Sequence, residues 1–90
     1  MRKRGKTDTN QIEIVQALRS AGAHVAITSN LGGGFPDLVV MYTDRVLLME
    51  VKSKCGRLTE EEQVFYNEWS AGMVVVYSVE EALDAIGRLA

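Results

Sequence analysis

The chain of 90 residues holds one cysteine, one proline, one tryptophan and one histidine. Cys55 therefore has no internal disulfide partner, and no second cysteine stands at redox or zinc-site spacing from it. His24 has no neighbouring Ser or Cys to complete a nucleophilic triad, so a strand-surface or half-buried position is expected for it. Apolar runs are short: Leu38-Val39-Val40-Met41-Tyr42 falls far below the roughly 20 residues a helix needs to cross a bilayer, which excludes a membrane span. The opening Met1-Arg2-Lys3-Arg4-Gly5-Lys6 is not followed by the apolar stretch of a secretory signal, and the chain reads as cytoplasmic.

What is present points to one ordinary globular domain, with 47% hydrophobic and 24% charged residues. By surface-to-volume scaling a 9.9 kDa chain buries roughly 64% of the surface its extended form exposes. One small core carries the fold, and dimerisation would help it. The net charge of -2 and the pI near 5.3 weigh against a nucleic-acid partner. The distribution weighs the other way. Basic residues gather at Arg2, Lys3, Arg4 and Lys6 and again at Lys52, Lys54 and Arg57, while acids collect at Glu60, Glu61, Glu62, Glu68, Glu80, Glu81 and Asp84. Ordinary solvated helix surfaces would give the same polarisation, so charge supports a case made elsewhere.

The periodicity gives seven elements behind a basic arm over residues 1–7, with a single domain over 8–90. A helix capped by Thr7 or Asp8 carries Ile12, Ile14, Val15 and Leu18 on one face and stops near Gly22. Ala23 to Thr28 alternates as a strand and ends in the loop Ser29 to Pro36. Asp37 to Tyr42 and Val46 to Lys52, joined by Thr43-Asp44-Arg45, make an antiparallel hairpin. Thr59-Glu60-Glu61-Glu62 has capping-box spacing and opens a second helix with Val64, Phe65 and Trp69 on one face. Met73 to Tyr77 is a buried-type strand, and Ser78-Val79-Glu80-Glu81 opens a third helix carrying Ala82, Leu83, Ile86 and Leu89. The order is αβββαβα.

Chemistry concentrates in the hairpin. Asp37 follows a glycine-rich loop ending in proline, and the hairpin sets it beside Glu50-Val51-Lys52. Alternation turns Glu50 and Lys52 to one face and Val51 to the other. Two carboxylates and the Val51 carbonyl make a site for a hard cation such as Mg²⁺, which keeps several waters and is commonly completed by substrate phosphate. Lys52 can then orient or help deprotonate an attacking water and offset transition-state charge. A plain exposed Glu50–Lys52 ion pair is the competing reading. Against it, Leu47, Leu48, Met49 and Val51 make the strand apolar on both faces, where an unpaired charge is costly.

Through Gly34-Phe35-Pro36-Asp37, Glu50-Val51-Lys52, Leu58-Thr59 and Gln63, over nearly all of Asp8 to Leu89, the chain resembles the minimal stand-alone form of the VRR-NUC family in the PD-(D/E)XK nuclease superfamily. The resemblance implies an α/β, restriction-endonuclease-like αβββαβα core with a central mixed sheet flanked by helices. It implies Mg²⁺- or Mn²⁺-dependent hydrolysis of DNA phosphodiesters, with Asp37 and Glu50 as metal ligands, Lys52 as the catalytic lysine and Gln63 supporting the site. It further implies a phage or bacterial intracellular protein, a homodimer, and branched DNA such as Holliday junctions as substrate. The family usually adds an acidic ligand from the first helix. Here Gln11 falls on the core face and Glu13 points away, so Gln11 is favoured over Glu13 for the ligand position, with neither touching metal as the remaining choice.

Arg2, Lys3, Arg4, Lys6, Lys54 and Arg57 are the expected phosphate contacts, giving binding that falls steeply with salt. Gly32-Gly33-Gly34 lacks the following Lys-Ser/Thr of a P-loop and leads into a strand, which disfavours nucleotide binding. Phe65, Tyr66 and Trp69 could stack on bases, although Phe65 and Trp69 at i and i+4 read first as core. Two other functions remain open: a catalytically weak or inactive DNA-binding or assembly module keeping the nuclease fold, and a small structural protein with no DNA affinity.

Overall fold

A computed structural model describes residues 5–89, with side chains from residue 9 onward. The elements are α1 (Gly5–Ser20), β1 (His24–Ile27), β2 (Leu38–Tyr42), β3 (Arg45–Val51), α2 (Glu60–Trp69) with a 3-10 turn at Ser70–Gly72, β4 (Met73–Val76) and α3 (Val79–Gly87). The chain is a mixed α/β fold whose four-stranded mixed sheet is flanked by helices. α1 begins at Gly5 and so takes in the last three residues of the expected arm; Arg2, Lys3 and Arg4 lie outside the described residues. Among the described residues no helix is long and apolar enough to cross a membrane.

The sheet order is β1-β2-β3-β4. β1–β2 and β2–β3 are antiparallel and β3–β4 is parallel, the last reached through α2 as a parallel crossover requires. The β2–β3 connection is two residues, not three. Thr43 (φ 50°) and Asp44 (φ 64°) both adopt left-handed backbone, as a tight hairpin of matching twist demands. Arg45 pairs with Tyr42 and is already strand.

Alternation divides the sheet into two unlike faces. Leu38, Val40, Met49, Val51 and Val76 form one face and pack with Ile14, Val15 and Leu18 of α1 and Ala82 and Ile86 of α3 into the core. Ile12, expected on the same helical face, is 55% exposed because it sits on the flank of the Ile14–Leu18 stripe. The other face carries exposed Met41 and Val46 toward the hairpin end and buried Glu50 toward the opposite end. α2 lies at that second end and differs from expectation. It buries no residue, Val64 is 58% exposed and Trp69 52% exposed. Phe65 and Trp69 are thus not core: Phe65 stands edge-on to Phe35 at 5.3 Å and Trp69 stacks on it at 5.5 Å, so the helix leans on the glycine loop rather than on the sheet.

Candidate active site

The β1–β2 loop places the first acid. Thr28 donates its backbone N–H to the Asp37 carbonyl at 2.7 Å and its hydroxyl to the Pro36 carbonyl at 2.8 Å, closing the loop at its base. Within it, Gly34 has φ 85°, and a Cβ there would stand 2.5 Å from the Glu61 carbonyl oxygen. Glycine is required twice over, for the left-handed backbone and for the close approach. The loop that presents Asp37 is therefore the surface against which the first turn of α2 rests.

Asp37, Glu50, Val51, Lys52, Ser53, Gly56, Arg57 and Glu62 line one cavity of about 300 Å³. Asp37 Oδ2 accepts from the Val51 N–H at 2.9 Å, and the carbonyl of Val51 leaves β3 on the same edge, beyond the last β2 pair, Leu38 with Met49. Glu50 is 2% exposed, and its Oε1 is buried without a hydrogen-bond partner. Its Oε2 lies 3.4 Å from Lys52 Nζ, which also meets Glu62 Oε1 at 2.8 Å. Glu62 is held in turn by the α2 cap, where its carboxylate accepts from Thr59 N–H at 2.8 Å while Thr59 Oγ1 accepts from Glu62 N–H at 3.2 Å.

Electrostatics follow from crowding acids in a poorly solvated place. Burial, with Asp37 and Glu62 as like-charged neighbours, pushes the Glu50 carboxyl up to about 8. Burial raises Asp37 as well, against the opposing pull of the Val51 N–H. For Lys52, burial acts downward, yet the hydrogen bond to Glu62 and the charge of Glu50 outweigh it and the ammonium is held above its ordinary value. Burial acts upward on Glu62, but Lys52 and the Thr59 N–H outweigh it and its carboxyl titrates lower than usual. Negative charge at Asp37 and Glu50 is thus costly until a cation reaches it, and Lys52 supplies only part of that compensation.

The donor set fits a hard divalent cation: two carboxylates, one of them with an unpartnered buried oxygen, and a main-chain carbonyl on the same edge. Among the described residues no group of three or more His, Cys, Asp or Glu side chains is arranged to hold a metal ion by itself. A cation here would complete its shell with water or substrate oxygen, as Mg²⁺ does.

Of the expected site residues, the structure gathers Asp37, Glu50, Val51, Lys52 and Arg57, and leaves others outside the cavity. Gln63 is exposed and donates to Asn67 Oδ1 at 2.9 Å, because the adjacent Glu62 takes the inward position on α2. Gln11 reaches Ser29 Oγ at 3.5 Å rather than the carboxylates, and Glu13 is exposed. From α1, Asn10 meets the site's edge, its amide donating to the Lys52 carbonyl at 3.0 Å. Asn10, Ile14 and Leu18 are spaced by four along α1, so extending the buried stripe one turn back would have found it. Glu62 had a signal too: a capping box folds its third carboxylate back toward the chain entering the helix. Lys54 and Cys55 are exposed, His24 is exposed on β1, and the side chain of Lys6 lies outside those described. Compared with known proteins, the chain matches no family model, no curated protein and no solved structure.

Proposed function

We propose that the chain is a metal-dependent DNA endonuclease of the PD-(D/E)XK type, related to the minimal VRR-NUC nucleases. The observation that carries this reading is the buried, unpartnered Oε1 of Glu50 in a cavity shared with Asp37 and Lys52. Two carboxyl groups this close and this poorly solvated must share a proton or a cation, and a divalent cation would offset the charge of both at once. Asp37, Glu50 and the Val51 carbonyl would hold Mg²⁺ or Mn²⁺, which supplies Lewis acidity toward a phosphoryl oxygen and toward water. Lys52 holds positive charge where the phosphodiester gains negative charge in the transition state, and its ammonium can donate to the attacking water. Arg57 at the cavity and Lys54 on the same loop would take flanking phosphates, with Arg2, Lys3, Arg4 and Lys6 adding contacts and salt dependence.

The substrate within this reading is branched DNA, cut by a homodimer that presents two sites to a four-way junction. Apolar Met41 and Val46, exposed on the sheet face opposite α1 and α3, support a second copy covering that face. One observation favours the rival reading of an inactive DNA-binding or assembly module: α1 offers the site edge a neutral Asn10, while Gln11 and Glu13 stay outside the cavity.

A cleavage assay on four-way junction, flap and linear duplex, with Mg²⁺, Mn²⁺ or EDTA, separates these. The nuclease reading expects metal-dependent nicks on two opposing junction strands, and folded but inactive Asp37→Ala and Glu50→Ala variants that have lost Mn²⁺ binding by calorimetry. Lys52→Ala should bind metal and DNA and cleave about a hundredfold more slowly. DNA binding without metal-dependent cleavage would leave the rival. A monomer in sedimentation that cuts linear duplex equally well would remove the dimer and the junction preference.

A further inference from the structure

We propose that Glu62 is the positioning residue for Lys52, and that it makes the placement of the lysine depend on the folded first turn of α2. For its consequence in catalysis the proposal rests on the nuclease reading above. A lysine ammonium is a point charge on a flexible four-carbon stem, and only its partners decide where it stands. Glu62 Oε1 accepts from Lys52 Nζ at 2.8 Å, and the same oxygen accepts from Thr59 N–H at 2.8 Å. One atom therefore closes the capping box and holds the lysine. The competing partner, Glu50 Oε2, stands farther off at 3.4 Å and belongs to a carboxylate with another task as a proposed cation ligand. A cation on Glu50 would weaken its pull on Lys52 and leave Glu62 to hold Nζ.

The position of Glu62 is itself set by neighbours on α2. Gly34 fits against the Glu61 carbonyl, and Phe35 meets Phe65 edge-on at 5.3 Å. These contacts flank Glu62 along the helix, and both come from the loop that delivers Asp37. The acid and the lysine are thereby registered to one another through a single segment, residues 34–37, although they arrive on different strands. From α1, Asn10 reaches the backbone carbonyl of Lys52 and not its ammonium.

Two variants of the whole protein separate holding from capping. Glu62→Gln keeps an acceptor for Thr59 N–H, since Gln serves in a capping box as Glu does, but removes the charge that holds Lys52. Thr59→Ala removes the hydroxyl that accepts from Glu62 N–H and leaves the carboxylate. Proton exchange of the Lys52 ammonium, read by ¹⁵N NMR without metal or DNA and assigned with Lys52→Ala, reports how firmly Nζ is held. Exchange should be slow in the unaltered protein, at least about tenfold faster in Glu62→Gln with helicity retained, and accelerated in Thr59→Ala only by the smaller fraction of time that the first turn of α2 is open. In DNA cleavage, Glu62→Gln should lower kcat by about ten- to a hundredfold and leave KM within about twofold. Unchanged exchange in Glu62→Gln, or equal acceleration in Thr59→Ala, would overturn the proposal and leave Glu62 as a cap. Faster exchange with undiminished kcat would overturn it as a positioning role. If the unaltered protein cleaves no DNA, the nuclease reading falls while the ammonium measurement still decides whether Glu62 holds Lys52.

Discussion

α2 and α3 open with the same local chemistry and are used in opposite ways. Thr59 and Ser78 each accept from the backbone N–H three residues on, at 3.2 Å from Glu62 and 3.1 Å from Glu81. Each third-residue carboxylate then turns back, Glu62 to Thr59 N–H and Glu81 to Tyr77 N–H, both at 2.8 Å. From there they diverge. α3 buries Ala82 and Ile86 in the core, whereas α2 buries nothing and gives its inward position to a charge that meets Lys52. A cap decides where a helix begins; what stands opposite decides whether its face serves stability or a site.

The comparison breaks first on core substitutions. Ile86→Ala should cost about 2–5 kcal/mol, a large part of what holds a small domain folded, while Val64→Ala on α2 should stay within about 0.5 kcal/mol. Urea unfolding of the two variants measures this, and equal losses would mean that α2 carries as much of the fold as α3. Hydrogen exchange sharpens the point: α2 amides should exchange through local openings well below the global unfolding free energy, and α3 amides close to it.

The next effect belongs to the site. Glu50 titrates at about 8 in the folded protein against an ordinary 4.5, so the folded state holds more protons than the unfolded one between those values. Stability in EDTA is then fullest below pH 4.5 and declines as pH rises through 8, with raised Asp37 adding in the same sense. Glu62, shifted downward, has the opposite sign: its contribution is present above its ordinary value and lost as pH falls below it. Glu50→Gln should flatten the decline and gain on the order of 2–3 kcal/mol relative to the unaltered protein at pH 7. Unfolding midpoints measured from pH 4.5 to 8 check this, and a parallel slope in the variant would remove Glu50 as its source.

Smaller still is the difference between the caps. Ser78→Ala should lower global stability by about 1 kcal/mol, whereas Thr59→Ala should mainly fray α2 and move global unfolding less. Thermal melts read the first, and exchange of the α2 amides reads the second. The smallest expected change lies outside both helices: Thr43→Asn relieves a β-branched residue of left-handed backbone and should stabilise by about 0.5 kcal/mol in the same melts, unless its hydroxyl bond to the Leu89 carbonyl matters more than its 3.3 Å length implies.

The order αβββαβα, the hairpin, the Thr59 capping box and the Ser78 cap were legible in the sequence because each rests on interactions a few residues apart, although at α3 the Glu81 carboxylate turns back to Tyr77 N–H instead of closing a box on Ser78. Asp37, Glu50 and Lys52 were legible for the same reason, since one hairpin brings them together and strand alternation orients them. The tertiary structure decided what depends on the docking of distant elements. Gln63 and Glu62 are neighbours in sequence, and only the rotation of α2 against Gly34 and Phe35 turned the second inward and the first out. Trp69 has the spacing of a core residue and is exposed because α2 rests on a loop instead of on the sheet. Asn10 meets the Lys52 carbonyl across 42 residues of chain, a contact set by how α1 crosses the end of β3. Local rules bind residues whose separation the covalent chain already limits; which face of one element meets another is fixed only when all of them pack at once.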